Sequence, residues 1–413
     1  MGSFSTPLSG LTAAQQQLQN VSNNLANIDT DGYKDQNLTF SDIFAQAGST
    51  NGSGDPMQTG SGVAVSSTSS NFTEGNLNAT GTASNMAISG NGFFITQGVN
   101  GTQDYTRSGD FTTNNAGQLI TPSGELLLGY PAVNGVVSSL ATLQPLQVSS
   151  VTSPAVASTT VGITANLSSD TAVGDSAASS SLSVFDALGA PHTLSVSYTK
   201  TAANTWTYTV TVPSADITGG TGINTTVGSG TLNFDGSGHL TSTTNVVPIS
   251  IPTLADGATS PLTLAGPFGT AANPTITQTA SASATSATTT DGFASGTLTT
   301  FTVQPDGTIE GSFTNGPTLA LGQVAVASFA NNQGLVSVGN NNYQPTAASG
   351  SAVIGVAGTG GRGTVVGGDV EQSNVDIATE FAKLIVAQQA YSSNAKSITT
   401  FNQVSQATLA MIQ

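Results

Sequence analysis

The sequence predicts an α+β chain, mostly β, in which N- and C-terminal helices form a coiled-coil-type core domain, with nested β-rich domains besides. Three observations carry this expectation. Apolar residues recur at heptad spacing near both ends. Asn-Gly and Asp-Gly pairs punctuate the middle, the usual signal of tight hairpins. Glycine is abundant, at 48 of 413 residues, while hydrophobic residues make up only 37%, a composition of short strands and turns. At this length more than one hydrophobic core is expected.

At the first end, Leu11, Ala14, Leu18, Val21, Leu25 and Ile28 follow one another in steps of 3, 4, 3, 4 and 3. Pro7 suits a first helical turn, Gln and Asn fill the back face, and Asp31-Gly32 supplies turn chemistry to end the run. The middle then carries hairpin pairs at Asn51, Asn91, Asn100, Asn134, Asp235, Asp256, Asp291 and Asn315. Thr193 to Val212 reads as two alternating strands around Ala202, Ala203 and Asn204, and Gly322 to Phe329 as another strand. Ser and Thr crowd residues 148–160 and 277–290, marking the edges of an inserted unit at 148–292. At the far end, Ser373 and Asp376 offer capping groups to a helix with Ile377, Phe381, Leu384, Tyr391, Ala395 and Ile398 on one face, continued by Phe401, Val404, Leu409 and Ile412.

A thin apolar stripe on a helix without charge pairs is marginal in water, so both end helices need neighbours. Two arrangements meet that need: packing on each other or on the β-domain of the same chain, or packing among copies of the chain. Residues 1–28 contain no Asp, Glu, Lys or Arg, which suits dense packing of identical copies by avoiding like-charge repulsion.

Charge excludes several partners. The basic residues are Lys34, Arg107, Lys200, Arg362, Lys383 and Lys396, dispersed along a chain of net charge −16, so no phosphate-neutralising patch and no nucleic-acid partner is expected. Without cysteine there are no disulfides, thiolate nucleophiles or sulfur-ligated metals. No apolar run reaches membrane-spanning length and no cleavable signal is written, so membrane insertion is not expected. Met1-Gly2 with Thr6 fits a myristoylation pattern, but no basic cluster completes an anchor.

Enzyme-like strings have plainer readings, and neither catalysis nor a cofactor is expected. Gly358 to Gly363 fits GxGxxG, yet Thr364-Val-Val-Gly-Gly follows instead of a helix to meet a pyrophosphate. Asp186 and His192 beside some serine could be drawn as a triad, but serine is so common here that a surface or strand-end histidine is the expectation. Asp235 and Asp306 read as turn formers rather than calcium ligands.

Ala26, Asn27, Thr30, Gly32, Tyr33 and Lys34 form a string that resembles the ANxxTxGYK-like signature of the bacterial flagellar rod and hook axial proteins. GNGFFI (90–95), the stretch from Tyr105 to Tyr130 and that from Ser373 to Thr400 resemble the same family in the same order, and VFDALGAPHTLSVSY (184–198) is similar to its hook members. Asp29 and Asp31 are acidic departures in the motif. The resemblance implies a homopolymeric tube, the flagellar hook, serving as a flexible universal joint that transmits torque from rod to filament. It implies further partners in the rod, hook cap, hook-filament junction proteins and the type III export apparatus, with an extracellular destination. It also implies a division into a terminal helical core (1–30 with 371–413), a linker (31–72), a β-rich middle domain (73–147 with 293–370) and an outer inserted domain (148–292). A distal rod protein of the same family and a secreted β-rich adhesive or carbohydrate-binding protein stand as alternatives.

Overall fold

The computed structural model describes residues 5–43, 46–50, 56–149, 151–222, 224–270 and 273–411. Met1 and Gly2 of the acylation pattern and Ile412 of the terminal stripe lie outside them. Chain contacts divide the protein into two compact units, one of residues 1–150, 300–311 and 319–413, the other of residues 151–299 and 312–318.

The first unit contains both long helices, α1 (Ser5–Ala26) and α2 (Ile377–Ala410). Asp376 caps α2 as its chemistry predicts, its carboxylate accepting the N–H of Thr379 at 2.6 Å. Strands Phe93–Gln97, Gln103–Thr106, Leu126–Val133, Thr318–Ser328 and Asn342–Gln344 join in one antiparallel sheet. This sheet is buried on both faces. Phe94, Leu127, Val324 and Val326 enter one core, while Phe93, Ile95, Leu128, Ala325 and Ala327 enter the other. Continuous apolar runs such as Phe93–Phe94–Ile95 result, in place of the simple alternation of a half-exposed strand. Residues 36–42 and 63–70, expected within a linker, pair as an antiparallel arm that lies against α1.

The second unit shows the alternation clearly. Its five-stranded antiparallel sheet runs in the order Ser180–Phe185, Pro191–Ala202, Thr205–Val212, Thr225–Phe234, Leu240–Val247. The turn at Ala202–Asn204 is where the sequence places it, with Asn204 in the left-handed region at φ 57°. Leu194, Val196 and Tyr198 point into the core from one strand, and Trp206, Tyr208, Val210 and Val212 from the next. A second sheet of three strands, Ile276–Thr279, Val161–Ser168 and Ala284–Thr290, shares this core. Gln278 from it accepts the Trp206 indole N–H at 2.8 Å, which satisfies a fully buried donor.

Candidate self-assembly surface

α1 and α2 lie antiparallel, since Gly10 sits against Asn394 and Asn24 against Glu380. Their contact line differs from the apolar stripes. On α2 the buried residues are Glu380 and Ala387, which with the half-buried Asn394 repeat every seventh position. On α1 they are Pro7, Ala13, Ala14, Val21 and Asn24. A Cβ added to Gly10 would come within 2.9 Å of Asn394, so small residues let the helices approach closely.

Of the residues read from spacing, Ala14 and Val21 are buried, while Leu11, Leu18, Leu25, Leu384 and Ile398 are half-buried. Ile28 lies in the turn beyond α1, which ends at Ala26. Ile377, Phe381 and Tyr391 are 51%, 46% and 39% exposed, so they do not face α1. α2 also outruns its partner: at about 1.5 Å per residue the helices are about 51 and 33 Å long, and every described residue from Thr399 onward is exposed. An open groove of about 900 Å³ runs between the two helices and the paired arm, lined by Ala13, Ala14, Leu38, Val386 and Ala387 among others.

The motif after α1 is where the structure is most densely tied. Asn24, wholly buried, donates to the Gln36 carbonyl at 2.9 Å and to Glu380 Oε2 at 3.2 Å, and accepts from the Tyr33 hydroxyl and the Gln36 N–H. Lys34 Nζ is 2.6 Å from both the Thr73 carbonyl and Glu371 Oε1. The Gly75 N–H donates to the same carboxylate oxygen at 2.8 Å, and Arg107 approaches the other at 3.5 Å. Arg107 in turn donates to the carbonyls of Ile88 and Gly90. Burial lowers the Lys34 amine from its ordinary value, and the Glu371 carboxylate works against that shift.

Gly32 adopts φ 72°, and a Cβ there would stand 2.4 Å from the Ser108 nitrogen; only glycine combines this backbone with this contact. Asn27 and Thr30 close the turn, the Thr30 hydroxyl donating to Asn27 Oδ1 at 3.2 Å. Ala26 ends the helix as an exposed residue. Asp31 is raised above the usual carboxylate range, first by burial and then by the nearby Asp110 carboxylate.

Gly32 does not stop the helix, which has ended six residues earlier. Tyr33 is buried in its own chain, with its hydroxyl between Asn23 and Asn24. Nothing in the local sequence pattern marks Glu371, Arg107 or Glu380 for these roles. One signal was available, since each of only six Lys and Arg residues in so charge-poor a chain invites a search for its buried anion.

Comparison with known proteins agrees with this architecture. Family models match at residues 4–34 (flagella basal body rod protein), 87–166 (flagellar hook protein FlgE/F/G D1 domain), 142–293 (flagellar basal body protein FlaE D2 domain) and 366–411 (flagellar basal body rod FlgEFG protein C-terminal). The flagellar hook protein FlgE of Escherichia coli strain K12 is 35% identical over 414 residues, covering 97% of this chain and 98% of the relative. That of Salmonella typhimurium is 34% identical over 420 residues with the same coverage, and that of Treponema pallidum 32% identical over 451 residues, covering 97% of each. With buried motif residues, terminal helices and near-complete coverage in agreement, the chain belongs to the flagellar hook protein family.

Proposed function

We propose that this structural subunit of the flagellar hook enters its polymer through the exposed apolar face of α2 together with the half-buried stripe of α1, in coiled-coil-type packing among neighbouring copies. Ile377, Phe381, Leu384, Tyr391 and Ile398 would meet Leu11, Leu18, Leu25 and Ile28 of surrounding subunits, or extend the pair within one subunit, while Ala14 and Val21 stay buried in their own subunit. The observation that carries this is the solvent-facing apolar content of α2: Ile385, Val386, Val404 and Leu409 are each more than half exposed, on a helix that outruns its partner. Fully burying such a side chain stabilises by about 1.5–3 kcal/mol, and a single copy leaves more than half of each of these surfaces exposed. No described helix is long and apolar enough to cross a membrane.

On this reading the tube works as a flexible joint between rod and filament, capped during growth and supplied by type III export. The rigid Lys34–Glu371 junction then carries load from the helices to the β-sheet of the same subunit. Near-complete matches to hook proteins favour the hook over the distal rod.

The test is assembly of Val404→Glu, which places a charge on an exposed helix position. The monomer should keep its far-ultraviolet circular dichroism, while polymer formation in sedimentation and electron microscopy should be lost. Normal polymerisation of this variant would remove the support for α2 as the contact.

A further inference from the structure

In the second unit, four polar side chains from three separate segments converge. His192 stands on the strand Pro191–Ala202, opposite Val184. Asp186 opens the turn before it, Asp216 ends a short 3-10 turn (Ser214–Asp216), and Asp256 lies in the turn that follows Leu254. The histidine is not at the surface: His192 is 5% exposed and Asp186 fully buried. His192 Nε2 is 3.2 Å from Asp186 Oδ2 and 4.0 Å from Asp256 Oδ2. Its Nδ1, also buried and without a well-aligned hydrogen bond, has Asp216 Oδ2 at 3.2 Å.

With the ring proton on Nδ1, beside Asp216, the Nε2 lone pair faces two carboxylate oxygens. These three acceptors, two of them buried and that of Asp256 open to solvent, repel one another, and positive charge among them relieves the repulsion. We infer that Asp186, His192 and Asp256 form a binding site for a divalent transition-metal ion of Zn²⁺ type, with Asp216 as the outer carboxylate that orients the imidazole.

Three features of the geometry support this. Ligand atoms at about 2.1 Å from a tetrahedral ion stand about 3.4 Å apart, close to the 3.2 and 4.0 Å seen here, and the three candidate atoms all lie within 4.8 Å of one another. Asp186 is held in place, its Oδ1 accepting the N–H groups of Leu188 and Ala190 at 2.8 Å each. Asp216 Oδ2, 3.2 Å from the remaining ring nitrogen, stands near the place of the outer carboxylate in a carboxylate–histidine–metal arrangement. Asp256 is partly exposed, which gives an entry path and room for a water as fourth ligand. The ion would clamp the 186–192 hairpin to the 214–217 and 254–258 turns.

The test uses the full-length chain freed of metal by chelator, titrated with Zn²⁺ by calorimetry. A single strong equivalent is expected, undiminished by excess Mg²⁺, which prefers all-oxygen shells. Asp256→Asn, a change at a partly exposed side chain, should abolish binding. Asp216→Asn should weaken it by about 10–100-fold. His192→Gln should also abolish it, with Trp206 fluorescence confirming that the unit remains folded. Absence of Zn²⁺ binding would overturn the proposal, leaving a second ring proton as the balancing charge. Binding unchanged in Asp256→Asn and His192→Gln would overturn it equally, as an adventitious ion held elsewhere.

Discussion

Replacing Glu371 by Gln should destabilise the first unit selectively. The change keeps shape and removes one charge from a cluster in which the Lys34 amine and the Glu371 carboxylate are both fully buried and 2.6 Å apart. Gln can still accept from Gly75, so the loss is chiefly electrostatic. Lys34 and Arg107 would be left as buried cations without their anion. Breaking a buried pair from one side costs about 3–5 kcal/mol. At about 2–4 °C per kcal/mol for a unit of this size, the melting temperature should fall by roughly 6–20 °C.

Circular dichroism at the helix band reads this unit, because both long helices lie in it. Trp206, the single tryptophan, lies in the second unit and serves as an internal control. The pH dependence has a definite sign. The folded Lys34 amine is already below its ordinary 10.5, and losing Glu371 lowers it further. The unfolded chain then binds the extra proton, so stability of the variant rises with pH across the window that ends near 10.5. The penalty should therefore shrink as pH rises through that window. A helix-band melt that is unchanged at neutral pH, within about 2 °C, would refute the reasoning.

Gly32→Ala should cost more than the ~1 kcal/mol of an ordinary glycine replacement, because a left-handed backbone and a contact with Ser108 act together; an unchanged urea midpoint would count against the tight junction. Burial raises the phenols of Tyr33, Tyr198 and Tyr343 to about 12, so the stability each contributes is complete below pH 10 and is lost as pH rises through about 12; absorbance titration at the tyrosinate band should show late ionisation coincident with unfolding. Asn24→Ala removes partners from Tyr33, Gln36 and Glu380 at once and should cost about 2–3 kcal/mol by denaturant melt, against at most about 0.5 kcal/mol for a change at exposed Gln16.

Local periodicity and turn chemistry were enough to find both helices, the Asp376 cap, the Thr193–Val212 hairpin and the strand around Gly322–Phe329, because each depends on residues close in sequence. The turn residues behaved the same way: Asp235 accepts the N–H of Ser237, and Asp306 that of Thr308, as short-range capping chemistry dictates. The motif from Ala26 to Lys34 could be recognised by resemblance, although its physical task could not be read from it.

That task needed the fold. Lys34 and Glu371 are separated by nearly the whole chain, and their attraction exists only once the β-sheet has returned α2 to the side of α1. The same holds for the helix contact: an amphipathic stripe says that a face will be covered, but small residues decide where two backbones come closest, so Gly10, Ala13 and Ala387 meet their neighbours while Phe381 faces outward. Ordinary strand neighbours predict a surface or strand-end histidine at His192; Asp216 and Asp256, from turns distant in sequence, are what make its surroundings unusual. Short-range preferences thus determine which segments are helix, strand or turn, whereas the pairing of buried charge is a long-range electrostatic outcome that tertiary structure alone decides.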